Sequence, residues 1–363
     1  MENESYDDVG ILENDMQDLE AMEEDYSEKT NMAIGSMFHG KPVYAVHFHN
    51  GRFFSGGEDD KVVAWKDALI WEHKFNDSVV EIKSSENKVA IACMDGDILV
   101  VDNSDEIKEL YSLSGPNEII CLYFKKKIVM AGSQDGMVWV FKNDEVLNVL
   151  SGHSSAVTKL DTIDNSVISC SEDGTMIIWD VIQNTVLHKL DSGYFAHTTP
   201  IVSLIQLNGL MTGDVSGKIV MSNNCKVVGT IQHHQDSIEC LSHYGNIVIS
   251  ADVSGKLAIW DLNTRLLRSS VILDTIITCM QVDEHFIYLG GADAIVRKFD
   301  ILTGEQLFEF EGHTEQILCL LVTKDHILTG SDDGNSYVFL KDHLKYNELP
   351  QHEELDNDNE RPQ

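Results

Sequence analysis

One stretch of this chain occurs in eight versions, and that recurrence limits the possible folds more than any other feature. SGGEDDKVVAW, Ser55 to Trp65, is followed downstream by IACMDGDILVV, MAGSQDGMVWVF, ISCSEDGTMIIWD, LMTGDVSGKIVMSN, VISADVSGKLAIWD, YLGGADAIVRKFD and ILTGSDDGNSYVF. Alignment on the turn places Trp65, Val101, Phe141, Trp179, Ser222, Trp260, Phe299 and Phe339 at one position, at intervals of 36, 40, 38, 43, 38, 39 and 40 residues. Each unit reads as two alternating strands joined by a tight Asp/Gly turn, with an apolar strand such as VYAVHF or ILCLLV before it and another such as EVLNVL after it. Four strands in about forty residues is the pattern of a propeller blade. The chain is therefore expected to be all-β, an eight-bladed propeller.

The dipeptides at the unit ends resemble the WD-repeat (WD40) family: Gly152-His153 and Gly312-His313 open units, and Trp179-Asp180 and Trp260-Asp261 close strands. The resemblance implies a buried hydrogen-bonded chain of His, Ser or Thr, turn Asp and Trp, in which an unpaired member would be costly. The fourth unit holds the set as His153, Ser169, Asp173 and Trp179, and the first as His39, Ser55, Asp59 and Trp65. Asp59 is thus structural. The fifth and sixth units have Ser216 and Ser254 where the turn Asp is expected, which predicts a weaker or differently satisfied network there. Ring closure needs a further strand. MAIGSMF, Met32 to Phe38, precedes the first unit without a blade of its own and is the favoured donor, with HLKYNEL, residues 343–349, as the alternative.

A chain of 363 residues with 43% hydrophobic content can bury a large core, and no apolar run approaches the roughly 18 residues of a membrane span. MENESYDD lacks the basic and apolar regions of a secretory signal, and seven cysteines without a CxxC pair argue against a disulfide framework. Cys121, Cys240, Cys279 and Cys319 fall at matching places in first strands and read as small core thiols. The expected setting is intracellular: cytoplasmic, with the nucleus as a second location.

Charge is the departure from the ordinary. Net charge is −34, of which residues 1–28 carry −12 and residues 347–363 carry −5, leaving −17 between them. The reading is three segments: an acidic disordered arm over 1–30, the propeller over 31–346 and an acidic disordered tail over 347–363. Such a field repels nucleic acid and anionic membranes and speeds encounter with basic proteins. No direct nucleic-acid contact and no membrane contact are expected, and the chain is taken as a monomer.

Nothing in the motifs calls for catalysis. GxSxG, HExxH and GxxxxGK[ST] are absent, and the Asp-rich turns lack the calcium-loop spacing, so no catalytic residue, metal or cofactor is assigned. The Lys125-Lys126-Lys127 run reads as a solvated turn.

WD-type propellers bind partners on the narrow face built from residues before each first strand and from the turns between second and third strands. The first set is Lys41, Asp77, Asn117, Ser155, Thr199, Asp236, Thr275 and Glu315; the second is Glu58, Met94, Gln134, Glu172, Val215, Val253, Ala292 and Asp332. Their acidic members, Glu58, Asp77, Glu172, Asp236, Glu315 and Asp332, are the candidate partner-binding residues. Glu315, Asp332, Glu58 and Asp77 should fall on contiguous blades, with no internal cation pairing them, which favours a Lys/Arg-rich segment.

GGEDDK, GKIVMSNNCKVVGTI, SGKLAIWDL and GHTEQIL together resemble the angio-associated migratory cell protein family over roughly residues 30–340. Fungal members of that family are chaperones of a ribosomal protein. The resemblance implies a dedicated chaperone that captures the basic N-terminal segment of large-subunit ribosomal protein ten (universal family sixteen) during 60S assembly. The alternative expectation is a WD40 scaffold or adaptor in signalling or in a ubiquitin-ligase complex.

Overall fold

The computed structural model describes residues 33–341 apart from 117, 164–165, 192–196, 208 and 225. Each repeat forms its own four-stranded antiparallel sheet, and eight such sheets make an all-β, eight-bladed propeller. The stretches read as acidic arms lie outside the described residues, as do HLKYNEL and Asn117.

Blade one shows the plan. β2 (Val43–His49) leads into β3 (Arg52–Gly57), β4 (Lys61–Trp65) and β5 (Leu69–Lys74), paired in that order. β3 is buried from Phe53 through Gly57 and β4 from Val62 through Trp65, whereas β5 alternates between exposed and half-buried residues. The reason lies in the neighbouring blades. Phe54, Val62 and Ala64 share one core with Val79, Ile91 and Val101 of blade two, so the hydrophobic core sits between sheets. Each Val or Ile buried there contributes roughly 1.5–3 kcal/mol.

The seam depends on a small residue near the end of each second strand. A Cβ on Gly56 would stand 2.7 Å from a methyl of Val79, and one on Gly330 would stand 2.7 Å from a methyl of Val43. Repeat spacing puts Ala92, Gly132, Cys170, Gly213, Ala251 and Gly290 at the same place. Val43 and Val79 are fully buried, and each is followed by a shift in register against its own second strand. A bulge there turns the chain so that the β-branched side chain seats on the neighbouring blade.

Closure uses the N-terminal strand. β1 (Gly35–Phe38) pairs antiparallel with β32 (Asn335–Leu340), Gly35 opposite Val338 and Phe38 opposite Asn335, beside β31 (His326–Ser331) and β30 (Ile317–Val322). The Ile34 amide extends the ladder to the Val338 carbonyl at 2.8 Å. Blade eight therefore has strands from both ends of the described chain, which removes an open sheet edge.

Candidate partner-binding face

The buried polar chains set the turns that build this face. In blade four, Trp179 Nε1–H donates to Ser169 Oγ at 2.8 Å, His153 Nε2 lies 2.7 Å from that Oγ, and His153 Nδ1 lies 3.2 Å from Asp173. Blade one repeats this with Trp65 to Ser55 at 3.3 Å, His39 to Ser55 at 2.9 Å and His39 to Asp59 at 3.0 Å. The hydroxyl has one proton. In blade four Ser169 Oγ, having accepted from the indole, donates it to Nε2, and Nδ1–H donates to Asp173, an arrangement that leaves the His153 imidazole neutral. Burial accordingly holds His153 below its usual value although Asp173 pulls the other way. Burial alone would raise Asp173, but hydrogen bonds from Thr175, the Ser154 amide and His153 prevail and hold it at about 2.

In blades five and six, of the two outcomes expected from the sequence, the network is differently satisfied, with shorter contacts. Asp214 and Asp252, two residues before Ser216 and Ser254, take the carboxylate role. His197 lies 2.7 Å from Asp214 and 2.6 Å from Thr212; His234 lies 2.6 Å from both Asp252 and Ser250. Both carboxylates are fully buried, and the hydroxyls of Ser216 and Ser254 donate back to them at 2.7 and 2.6 Å. His234 is the repeat histidine of the HH pair; His233 stands edge-on to Trp260 at 5.0 Å. Blade eight keeps His313 with Thr329 at 2.7 Å and Asp333 at 2.9 Å.

Blades two, three and seven drop the His, Ser/Thr and Trp members and keep the turn Asp as Asp95, Asp135 and Asp293. Repeat spacing puts Phe75, Ile91 and Val101 in the His, Ser and Trp places of blade two, and these three share one apolar core. Blade seven holds Leu273, Leu289 and Phe299, also packed together, and blade three holds Gly115, Ala131 and Phe141. A His without its Ser or Thr, or the reverse, would strand a buried donor or acceptor, at about 1–3 kcal/mol, so those two positions change together. The Trp, by contrast, is also replaced by Ser222 and Phe339 in blades five and eight, which keep the His pair.

One hydrogen bond recurs at the face in all eight blades. The amides of Glu58, Met94, Gln134, Glu172, Val215, Val253, Ala292 and Asp332 donate to the carbonyls of Pro42, Ser78, Glu118, Ala156, Pro200, Ser237, Ile276 and Gln316, at 2.9 to 3.1 Å. Each acceptor directly follows a residue of the first loop set. The two sets aligned from sequence are thereby neighbours in every blade.

Glu58, Asp77 and Asp332 are half-buried; Glu172, Asp236 and Glu315 are exposed. The seams of Gly330 with Val43 and of Gly56 with Val79 make blades eight, one and two contiguous. Tyr44 marks where the acids of blades eight and one meet. Its hydroxyl donates to Glu58 at 3.4 Å, and burial, then Glu58 and Asp332, push the phenol above its usual value. On one point the sequence reading is corrected: Lys41 Nζ lies 3.9 Å from Glu58, so that carboxylate has an internal cation. Asp332 accepts from the Gln316 amide, Glu172 accepts from Ser155 at 3.1 Å, and Asp77 caps the Ser78 amide at 2.7 Å. The sequence places Lys41 in the loop beside Glu58 but does not carry the reach of its side chain, nor that of Gln316.

The inner strands also line a cavity of about 700 Å³ holding Glu81, Lys83, Lys159 and Asp161, where Glu81 and Lys83 pair at 2.7 Å. Burial raises the thiols of Cys121 and Cys279 to about 12, and Cys240 and Cys319 shift the same way, which suits inert core thiols. Among the described residues no group of three or more His, Cys, Asp or Glu side chains is arranged to hold a metal, and no helix is long and apolar enough to cross a membrane.

The WD40-like domain model matches residues 41–255, more than half of the chain. The chain belongs to the WD40-like family. A WD domain, G-beta repeat model also matches residues 304–339 of this WD40-like protein. It is related to the human angio-associated migratory cell protein, 27% identical over 340 residues that span 83% of this chain and 78% of that protein. Sqt1 of Saccharomyces cerevisiae superposes with a TM-score of 0.79 at 20% identity, covering 86% of this chain and 99% of that one. Sqt1 of Chaetomium thermophilum gives 0.80 at 18%, covering 87% and 99%. At those identities the two structures speak for the fold.

Proposed function

We propose that this WD40-like protein is a non-catalytic binding protein, a dedicated chaperone of a basic large-subunit ribosomal protein. The client is ribosomal protein ten (universal family sixteen), whose basic N-terminal segment lies across the acidic face and is escorted into 60S assembly. The observation that carries the reading is the meeting of Glu58 and Asp332 around Tyr44, with Asp77 and Glu315 in the flanking loops of the same contiguous blades. Lysine and arginine side chains form charge-assisted hydrogen bonds with such carboxylates. Lys41 is already an ion-pair partner of Glu58 within the chain, at 3.9 Å, and gives way to client cations. Relation to the angio-associated migratory cell protein supports the choice of client, through the chaperones among that family's fungal members. The bound segment is shielded from RNA and from aggregation, in the cytoplasm and nucleus where ribosomal proteins travel.

Affinity purification of the tagged protein at two salt concentrations tests this. A chaperone recovers one basic ribosomal protein, in stoichiometric amount and lost at high salt, because exposed charge pairs are screened. Recovery of assorted neutral partners, indifferent to salt, contradicts it and favours a scaffold.

A further inference from the structure

The described chain begins and ends at the same end of the same blade. Phe38 pairs with Asn335 beside the Asp333–Gly334 turn of the acidic face, so Gly35, opposite Val338, lies toward the far end, where Leu340 pairs with His326. Residues 1–32 are therefore tethered at the face opposite the acidic one. Residues 1–28 carry twelve carboxylates and no Lys or Arg.

That opposite face holds the Lys125-Lys126-Lys127 turn. β10 (Ile119–Lys125) and β11 (Ile128–Ser133) pair with Ile119 opposite Ser133, which adjoins the acidic-face turn, and with Lys125 opposite Ile128 at the far end. Lys142, opposite Ile128 in the next strand, joins them there. All four lysines are exposed, and none has a carboxylate within 4 Å among the described residues. Asp144 and Glu145 are the acids of the adjoining turn in this blade, so four cations stand beside two anions in a chain of net charge −34. The Lys126 amide donates to Ser85 Oγ of blade two at 2.6 Å, which fixes the turn against the neighbouring blade.

We propose that the acidic segment 1–28 of this chain docks on the Lys125, Lys126, Lys127 and Lys142 rim and closes it to other polyanions. Twenty-eight residues reach up to about 90 Å when extended, so the tether spans the face. Tethering also gives the segment an effective concentration in the millimolar range, which an untethered polyanion must exceed. The docked segment acts as a built-in competitor of RNA. It answers a need of any protein that handles basic clients near RNA: one face attracts cations while the other does not collect phosphates.

Two measurements on the full chain test the docking. Carbodiimide coupling at low salt is expected to join the four lysines to carboxylates of residues 1–28 within one molecule, and to lose those links at about 0.5 M salt, where the screening length falls to a few ångströms. A single-stranded oligouridine titration then compares the parent with a variant in which Glu13, Asp15, Asp18, Glu20, Glu23, Glu24 and Asp25 become their amides. The variant is expected to bind the RNA at least tenfold more tightly, and K125S, K126S, K127S and K142S made on top of it should abolish the gain. Absence of the cross-links, equal RNA affinities, or a gain that survives loss of the lysines overturns the proposal. RNA binding by the parent through the four lysines also overturns it, since the rim would then be an RNA site.

Discussion

A buried imidazole between a hydroxyl and a carboxylate can be neutral or charged, and in this protein burial favours the neutral form, which makes stability depend on pH. Burial holds His153, His234 and His313 below their usual value, and it depresses His47, which lines the inner cavity with its Nε2 2.8 Å from Ser84 Oγ, to about 4. Unfolded histidine titrates near 6.5, so the unfolded chain takes up protons first as pH falls below that. Stability contributed by the neutral imidazoles is whole above pH of about 6.5 and is lost as pH drops toward 4. Asp173 and Asp214, at about 2 against roughly 3.9 unfolded, extend the loss below pH of about 4. Urea titrations at pH 7.5 and 5 should show a lower midpoint at pH 5; an equal or higher one contradicts the neutral-histidine assignment. The Asp/Ser exchange is testable too. Asp252→Ser strands His234 and should cost about 1–3 kcal/mol, and adding Ser254→Asp should restore most of it by rebuilding the arrangement around His153 in blade four. A double variant no more stable than the single one would show that the two positions are not equivalent. Sequence alignment reads one column at a time and saw only a missing Asp at Ser216 and Ser254. The carboxylate two residues earlier reaches the same ring from the end of the strand, a three-dimensional equivalence that residue spacing does not carry.

Among the elements, β1 has the largest consequence for its size. Four residues supply the outer strand of blade eight, with Ala33 just before them packed against that blade's core. Removing residues 1–28 should leave the melting temperature nearly unchanged, whereas removing 1–38 exposes β32 as an edge and should lower it by several degrees, at up to about 2–4 °C for each kcal/mol lost in a domain of this size. Equal melting of the two truncations would contradict this closure. Strand number, blade number and the closing segment were legible because a propeller repeats one hydrophobic pattern, and MAIGSMF was an apolar strand without a partner. The bulge after Val43 and Val79 was not legible: alternation of side chains looks the same with or without one extra residue, and only the packing of the next blade decides it.

For the whole molecule the question is how charge is divided between its two faces. A backbone bond links the two loops within every blade, so the two positions aligned from the sequence stand side by side in each blade. The Lys41 contact with Glu58 was beyond sequence reasoning, because a lysine's position in the chain does not fix where its long side chain reaches. An intramolecular cation makes the site dependent on displacement, so removing Lys41 as Lys41→Ala should tighten binding of a basic peptide, and weaker binding would show that Lys41 instead organises the site.

The most direct test of the docking face is a titration with the basic N-terminal peptide of ribosomal protein ten at two salt concentrations. Three proteins are compared: the parent, Glu58→Gln/Asp77→Asn/Glu315→Gln/Asp332→Asn, and a control with the same charge change at Glu2, Glu4, Asp7 and Asp8. If each face carboxylate contributes on the order of 1 kcal/mol or more, the face variant should bind at least about a hundredfold more weakly, while the control should mainly slow association. Equal affinity of the face variant and the parent would contradict the docking face, and no binding by the parent would contradict the chaperone function itself.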